Sequence, residues 1–417
     1  MALEKKLINI EKEKKKRPLT HIIGDILFFF LILVIMLDPT NTILHKKDIF
    51  FVITVGFCMC TIKPDWSKLP IILSLFCSIS IPWIFSVISN KEAELDTIVA
   101  LYKSISPIVL LLWIREFDLV RIARGPVIIC CLIMDALFTI ISIFPETESF
   151  IFLWSESKDY PIMMARRWFL GIEVFCMYLK SCISFVFVAI FYIYSFFNKS
   201  NRGSKRILYL AIILFAFSFS GTRSTMLLPV FLIGITAYYQ YKDKKHAKYF
   251  MYPIITIIGI GFTTLLIALM TDTNEASNVV KYGHIPSYLS LFGEHPEYIL
   301  FGQGPGTYFY SEGFNKIVNI TEWSYIELFR NFGIFALVII CIFFKPLAVM
   351  WENKQDKLIS CTFWAYLAYL LIAGTNPLLL SSTGMITLLM AYSYTEMLKK
   401  KLNDEFWELN NGSNVLI

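Results

Sequence analysis

Apolar residues occur along the chain in long runs, and polar residues are concentrated in the shorter stretches between these runs. A helix needs about 20 largely apolar residues to cross the hydrocarbon core of a bilayer. By that criterion the pattern predicts about twelve membrane-spanning helices. They lie near residues 22–37, 49–62, 70–88, 98–114, 126–143, 170–197, 206–220, 222–241, 250–270, 325–344, 359–380 and 382–398. The second and seventh of these runs are short for a span.

The composition excludes a water-soluble globular fold. Hydrophobic residues make up 56% and charged residues 17% of the 417 residues, whereas soluble domains carry about 45–50% and 25%. Much of any soluble protein's surface faces water, so such a fold cannot hide this excess of apolar side chains. We therefore expect an all-α polytopic membrane protein.

The sequence argues against a nucleotide-binding site, a disulfide framework and a zinc site. It contains no GxxxxGK[ST] motif, so ATP-driven transport by this chain alone is not expected. The nine cysteines all lie inside apolar runs, which argues against both a disulfide framework and a zinc site.

The distribution of positive charge predicts which connections face the cytoplasm. If the amino terminus is cytoplasmic, the inside segments carry roughly three times as many Lys and Arg residues as the outside segments, as the positive-inside rule requires. This bias predicts that both termini are cytoplasmic. We expect a basic cytoplasmic tail at 1–21, which anchors the orientation and does not bind nucleic acid, and a second cytoplasmic tail at 399–417.

Between the tails, residues 22–398 form the predicted transmembrane domain. Two of its connections are long, and both fall on the predicted outer side, at 144–169 and at 271–324. The second is rich in Tyr, Phe, Trp, Pro and Gly, which is the composition of folded material. Long ordered loops usually carry function, so the search for chemistry centres on this face.

The first candidate feature is the sequence Ser-Gly-Thr-Arg at 220–223, a tight break between two predicted spans. Arg223 is held at the membrane–water boundary beside a predicted helix start. A guanidinium there suits a phosphate, which it binds through two hydrogen bonds, and the helix dipole adds to the attraction. An Arg that merely extends to the interface fits the pattern equally well.

The second feature lies in the large loop, where Lys281-Tyr282-Gly283-His284 is followed by the glycines Gly302, Gly304 and Gly306. His284 is one of five histidines and has the chemistry of a base near neutral pH. A surface histidine without a role is as good an explanation. The glycines either let backbone approach a bulky ligand or simply make turns.

The third feature opens the tenth predicted span with Glu322, Tyr325, Glu327 and Arg330. Glu327 and Arg330 are three residues apart and so share one helix face as a possible ion pair. Charges at such a depth are costly and normally face an interior cavity. Glu322 precedes them, at a position where a carboxylate could take a proton from a hydroxyl. A helix start that favours acids, with a structural pair below it, is the alternative.

Taken in order, these blocks resemble the Wzy-type polymerases of bacterial O-antigen and capsule synthesis, members of the O-antigen ligase/polymerase superfamily. The resemblance covers about 206–340 at the level of motifs. It rests on Ser-Gly-Thr-Arg at 220–223, Gly-His-Ile-Pro-Ser at 283–287, Phe-Gly-Gln-Gly-Pro-Gly at 301–306, Glu-Trp-Ser-Tyr-Ile-Glu-Leu at 322–328, Arg330 and Gly333.

The resemblance implies a membrane glycosyltransferase with a GT-C-like helical fold and one large periplasmic loop, which uses no metal and no cofactor. Its substrates would be oligosaccharide repeats linked to undecaprenyl pyrophosphate, presented at the periplasmic face of the bacterial inner membrane. A chain-length regulator and a flippase would be its protein partners. The related ligases tend to carry a histidine near the position of Glu322, and its absence here favours a polymerase.

The resemblance also implies roles for individual residues. Arg223 would stabilise the leaving pyrophosphate, and Glu322 or His284 would be the base that activates the acceptor hydroxyl. Many relatives carry an arginine where this chain has Lys281. The expected substrate-binding residues are Arg330, Lys281, Arg166, Arg167, Tyr325, Glu327, Gly302, Gly304 and Gly306.

Two other functions are compatible with parts of the sequence. A flippase or other transporter for lipid-linked sugars also has about twelve spans, but it should show repeated halves, and no convincing internal repeat is present. An O-antigen ligase would use the same donor with a different acceptor.

Overall fold

The computed structural model describes residues 18–89, 91, 93–157, 162–169, 172–198, 203–220, 223–244, 249 and 276–412. This part of the chain is mostly helical, as the apolar runs predict. The helices are Leu19–Leu37, Lys47–Thr61, Leu69–Ile88, Leu95–Ile105, Leu119–Ile143, Thr147–Ser157, Val186–Phe197, Ser204–Ser218, Arg223–Tyr241, Ala276–Glu294, Tyr298–Phe301, Ser324–Phe332, Phe335–Glu352, Lys357–Ala373 and Ser382–Gly412. Three 3₁₀ segments run Trp66–Lys68, Ser106–Glu116 and Cys182–Phe185.

Several of these helices have the length and composition of membrane spans. Within the described residues, five helical segments are long and apolar enough to cross a bilayer: Leu19–Leu37, Trp66–Ile88, Leu95–Glu116, Leu119–Ile143 and Phe335–Glu352. Two shorter apolar helical segments, Cys182–Phe197 and Lys357–Ala373, accompany them. The predicted run at 250–270 lies outside the described residues. The structure thus has the character of a helical membrane protein, with five candidate spans.

The prediction that the chain is all-α needs a correction at 162–179. The strands Ile162–Phe169 and Ile172–Leu179 pair as an antiparallel hairpin, with Phe169 opposite Ile172, so the predicted span at 170–197 begins as a strand. Only Val186–Phe197 of that run is α-helical. A second, shorter hairpin pairs Phe309–Ser311 with Lys316–Val318.

Other predicted spans have different bounds in the structure. The run at 325–344 is interrupted: the helix Ser324–Phe332 ends at Gly333, which has a φ of 54°, and a new helix begins at Phe335. The last helix continues through the predicted boundary at 398 to Gly412.

The first helix packs closely against its neighbours at two glycines, one of its own and one on the helix Leu119–Ile143. A methyl group on Gly24 would lie 2.4 Å from the ring of Phe117, and one on Gly125 would lie 2.5 Å from the ring of Phe29. Small residues at such positions let helices approach where lipid supplies no hydrophobic driving force between them. Buried aromatic side chains fill the rest of the bundle, among them Tyr366, whose hydroxyl donates to Phe343 O at 2.8 Å.

Connections that the charge pattern predicts on the outer side meet at one end of the bundle. Lys47 follows the first connection, and its Nζ donates at 3.1 Å to Ser382 Oγ, at the start of the last helix. The N–H of Glu94 donates to Gly306 O, in the large loop, at 3.0 Å. The contacts therefore bring these segments together, as the predicted alternation of sides requires.

Connections predicted on the cytoplasmic side meet at the other end. Lys68 lies in the connection after the second helix and forms an ion pair of 2.7 Å with Glu396. Lys357, at the start of its helix, forms an ion pair of 2.7 Å with Asp243. The two ends of the bundle thus carry the two sets of connections that hydropathy and charge separate.

Candidate functional site

Residues 276–323, called the cap below, form a folded unit at the first of these two ends. The cap consists of the helix Ala276–Glu294, the short helix Tyr298–Phe301 and the second hairpin. It packs on the connection after the helix Leu69–Ile88: Ala93 pairs with Thr307 as an isolated bridge, and Lys91 Nζ lies 3.5 Å from the centre of the Tyr298 ring.

A buried ion pair joins the cap to the bundle. Arg330 is fully buried, and its guanidinium pairs with Glu327 one helical turn earlier, as their spacing predicts. The guanidinium also donates to Gln303 Oε1 at 2.6 Å, to Thr307 O at 3.2 Å and to Asn319 O at 2.7 Å. Each of its three nitrogens therefore has a protein oxygen as its acceptor.

The carboxylate of Glu327 has partners of its own. The hydroxyl of Tyr288, on the helix Ala276–Glu294, donates to Glu327 Oε2 at 2.6 Å, and the Thr321 hydroxyl donates to the same oxygen at 3.3 Å. Asn331 Nδ2 donates to Oε1 at 3.2 Å. Burial raises the pKa of the Tyr288 hydroxyl, and the adjacent negative charge of Glu327 raises it further, so Tyr288 stays protonated as a donor.

This network gives Arg330 and Glu327 a structural role that differs from the substrate-binding role implied by the resemblance. A buried charge is tolerated only when paired and hydrogen-bonded, and here the partners come from the cap helix, the glycine-containing loop and the segment 319–321 that follows the second hairpin. The pair is therefore placed to hold the cap together, and its burial separates it from any ligand on the surface. No sequence pattern indicates that Tyr288, Gln303 and Thr321 complete this network.

The three glycines of the loop Gly302–Gly306 make turns against protein. All three have positive φ values, of 75°, 100° and 76°. A methyl group on Gly302 would lie 2.3 Å from Asn331 O, and one on Gly304 would lie 2.4 Å from Ser86 Cβ. The loop caps the carboxyl end of the helix Ser324–Phe332, because the N–H of Gln303 donates to Arg330 O at 2.6 Å. Of the two predicted roles for these glycines, the structure favours turns.

Gly302→Ala is expected to lower the free energy of unfolding by about 1–3 kcal/mol, since it imposes a strained φ and a contact with backbone. Gly293→Ala is the matched control, because a methyl group there meets nothing within 4 Å. Thermal unfolding of both purified variants in detergent measures the difference. Equal midpoints for the two would contradict the role assigned to the loop.

His284 lies inside the cap with no exposed surface. Its Nδ1 is 2.8 Å from Ser311 Oγ, and its ring packs edge-on against Phe314. Its Nε2 is buried and has no hydrogen-bond partner in the described structure. Burial lowers the pKa of His284; Glu322 and Glu327 act in the opposite sense, and Lys281 adds to the lowering. The imidazole is therefore held neutral and is fully buried in the cap, and its role as the catalytic base stays a prediction.

The lowered pKa makes the stability of the cap depend on pH. The unfolded chain binds a proton at His284 more readily than the folded chain does, so stability is complete above about pH 6.5 and falls as the pH drops below it. His284→Gln keeps a partner for Ser311 and is expected to flatten this fall. Unfolding midpoints measured between about pH 5 and 7.5 test the prediction; a fall of the same size in His284→Gln would contradict it.

Glu322 and Lys281 form an accessible acid–base pair on the cap. Lys281 Nζ lies 3.3 Å from Glu322 Oε2, and the two side chains are 24% and 35% exposed. The neighbouring Trp323 donates from Nε1 to Lys281 O at 2.8 Å, which fixes the pair against the cap helix. Of the two predicted bases, Glu322 is the one that a substrate can reach.

Arg223 is the first residue of the helix Arg223–Tyr241, and its side chain lies outside the described structure. This helix packs against Lys357–Ala373. Because Asp243, just past the end of the first helix, pairs with the first residue of the second, the two helices are antiparallel. Arg223 therefore lies at the end of the bundle where Lys357–Ala373 finishes.

Tyr325 lies at that same end. Its hydroxyl donates to Leu370 O at 2.9 Å, and its ring occupies the space that a side chain on Gly374 would need. The helix that carries Arg223 thus starts at the same end of the bundle as Glu322. The Tyr325 hydroxyl itself is occupied by its hydrogen bond to Leu370 O.

Arg166 lies on the first hairpin and pairs with Glu148 at 2.8 Å. The side chain of Arg167 lies outside the described structure. The partner strand donates from Met177 N to Phe219 O at 2.9 Å, one residue before the Ser-Gly-Thr-Arg sequence at 220–223. The hairpin that carries Arg166 therefore lies beside the end of the helix Ser204–Ser218.

No metal site is built by the described residues, since no three His, Cys, Asp or Glu side chains among them could hold an ion together. No protein-family model matches the sequence. A search of curated proteins finds no match either.

Proposed function

We propose that the chain is a membrane glycosyltransferase of the Wzy type, which polymerises oligosaccharide repeats carried on undecaprenyl pyrophosphate into O-antigen or capsular polysaccharide. In this proposal it has a GT-C-like fold of about twelve spans and lies in the inner membrane of a bacterium with both termini in the cytoplasm. The cap is periplasmic. The reaction uses no metal or cofactor, and a flippase and a chain-length regulator act beside the enzyme.

The observation that carries the proposal is the position of the Lys281–Glu322 pair. It is accessible, it lies on a folded cap, and the cap lies at the end of the bundle where the helix of Arg223 begins. Transfer of a sugar from a pyrophosphate needs a carboxylate for the acceptor hydroxyl and fixed cations for the leaving group.

The proposed reaction is a single displacement. The acceptor hydroxyl forms a bond to the anomeric carbon of the growing chain, and its proton passes to Glu322. The bond between that carbon and the pyrophosphate oxygen breaks, and undecaprenyl pyrophosphate leaves with the bonding electrons. Arg223 and Lys281 stabilise the charge that develops on the leaving oxygen, which lowers the barrier more than it favours the bound substrate.

Glu322→Gln is expected to lower the polymerisation rate by about 10²–10⁴-fold, because the amide cannot accept the proton. The amide keeps the size of the side chain, so folding should be preserved. Glu312→Gln, which removes an exposed carboxylate elsewhere on the cap, is the matched control and should retain the rate. Polymer formed per amount of membrane protein measures both. A Glu322→Gln variant as active as the control would remove Glu322 from the mechanism.

A strain that lacks the protein tests the function as a whole. Loss of long polysaccharide with a single repeat still attached to the surface supports a polymerase. Complete loss of surface-attached sugar would instead indicate a ligase or a flippase and would contradict the proposal. Return of the chain-length ladder on expression of the intact protein links the phenotype to this chain.

A further inference from the structure

The helix Ala276–Glu294 carries an exposed apolar stripe. Its exposed members are spaced three to four residues apart and so lie on one face of the helix. They are Val279, Tyr282, Ile285 and Leu289, with exposed fractions from 38% to 69%. Pro286 is exposed between them, and from 279 to 289 this face has no charged residue. The opposite face, with His284, Ser287 and Tyr288, is buried in the cap.

The contacts of this helix fix its height relative to the bundle. Two hydrogen bonds hold it there: its Lys281 carbonyl accepts from Trp323 Nε1, and its Tyr288 hydroxyl donates to Glu327. The helix therefore runs alongside the start of Ser324–Phe332. That start is level with the end of Lys357–Ala373, because Tyr325 bonds to Leu370 O.

A second exposed apolar segment links the cap to the surface of the membrane helices. Ile299, Leu300 and Phe301 are all exposed by 40% or more. Ile334 donates from its N–H to Leu300 O at 3.2 Å, and Phe301 stacks on Phe85, near the end of a candidate span. Just after Ile334, in the first turn of the helix Phe335–Glu352, the side chains of Leu337 and Val338 are also exposed. Apolar surface thus continues from a membrane helix onto the cap.

From this continuity we infer that the cap binds the bilayer itself. The stripe Val279–Leu289 and the segment Ile299–Phe301 lie in the outer leaflet, at the boundary between headgroups and acyl chains. A helix with one apolar face binds there by burying that face, and tyrosine is enriched at this depth. The height of the helix, its uncharged stripe and the continuity with a lipid-facing surface distinguish lipid from a soluble protein partner, whose binding surface would have a polar rim.

The inference does not depend on the proposed reaction. Lipid contact would hold the cap helix, and with it the Lys281–Glu322 pair, at the level of the headgroups. An enzyme, a transporter or a scaffold could each use such an anchor.

Site-specific photo-crosslinking of the full-length protein tests the inference. Leu289 is replaced by p-benzoylphenylalanine, and the protein is irradiated in nanodiscs that contain radiolabelled phospholipid. Glu312 is the control position, because its N–H bonds to Ser287 on the opposite face of the helix. We expect about tenfold more labelled lipid adduct from position 289 than from position 312. Equal labelling, or a product of twice the mass of the chain, would overturn the inference.

A second measurement uses charge. Leu289→Lys is expected to raise the rate of amide hydrogen exchange in 276–294 severalfold in nanodiscs, because a lysine in the stripe weakens its contact with acyl chains. Glu312→Lys places a lysine on the other side of the cap and should leave the rate unchanged. No difference between the two variants would contradict lipid contact along the stripe.

Discussion

Arg330→Ala is expected to lower the free energy of unfolding by about 3–5 kcal/mol, the largest effect of any single substitution in the cap network. The guanidinium is fully buried, and its removal leaves the carboxylate of Glu327 buried without its countercharge. Gln303 Oε1 and the carbonyls of Thr307 and Asn319 lose their donor at the same time. Two separate segments of the cap, the loop 303–307 and the residues around Asn319, would then lose the side chain that connects them.

Thermal unfolding in detergent and limited proteolysis of the cap measure this loss. Lys316→Ala is the matched control, since it removes an exposed cation from the second hairpin and should change stability by less than about 1 kcal/mol. Arg330→Lys keeps the charge but not the planar guanidinium, so its unfolding midpoint should lie between those of Arg330→Ala and Lys316→Ala. If Arg330→Ala unfolds at the midpoint of the control, the network does not hold the cap.

A double substitution separates the cost of the orphaned charge from the loss of contacts. Arg330→Met with Glu327→Leu removes both charges, and such replacements of buried pairs are often less harmful than the loss of one partner. We expect the double variant to be more stable than Arg330→Ala. A double variant that is less stable would show that the hydrogen bonds of Tyr288 and Thr321 to Glu327 outweigh the orphaned charge.

The general character of the fold could be predicted because it follows from composition and hydropathy. The segments 22–37, 70–88 and 126–143 lie within helices of the structure, since only a helix satisfies the backbone of an apolar run in lipid. The grouping of connections at two ends also follows from local charge, which is visible in the sequence.

The first hairpin could not be predicted from hydropathy alone. Residues 172–179 are mostly apolar, and a short apolar run is compatible with either a strand or a helix. What decides between them is the pairing with the strand 162–169, which lies outside the apolar run itself. The break at Gly333 is similar, because a methyl group there would lie 2.5 Å from Gly302 N, in a loop that is distant in the sequence.

At the candidate site, the sequence indicated which residues are charged but not which of them are accessible. Glu327 and Arg330 share a helix face, so their pairing followed from spacing. Their burial did not, because it depends on contacts with Gln303, Thr307 and Asn319, which lie 11 to 27 residues before Arg330 in the sequence. Glu322, only five residues before Glu327, remains accessible because it precedes the first turn of the helix.

Arg223→Ala is expected to abolish long polysaccharide while single repeats still reach the surface. In the proposed reaction Arg223 faces the pyrophosphate as negative charge builds on the leaving oxygen. A guanidinium that stabilises a phosphoryl group in this way is worth about 10³–10⁵-fold in rate in enzymes that use one. A loss of that size leaves no measurable ladder of chain lengths.

The comparison with other substitutions makes this result specific. Arg223→Lys keeps a positive charge but cannot form the bidentate hydrogen bonds of a guanidinium, so it should restore part of the ladder of chain lengths. Arg115→Ala, which removes an exposed guanidinium at the opposite end of the bundle, should leave the ladder intact. Immunoblots of membranes check that all three variants are present in equal amounts. If Arg223→Ala gives the ladder of the unmodified protein, the leaving group is stabilised elsewhere, and the proposed mechanism loses its principal cation.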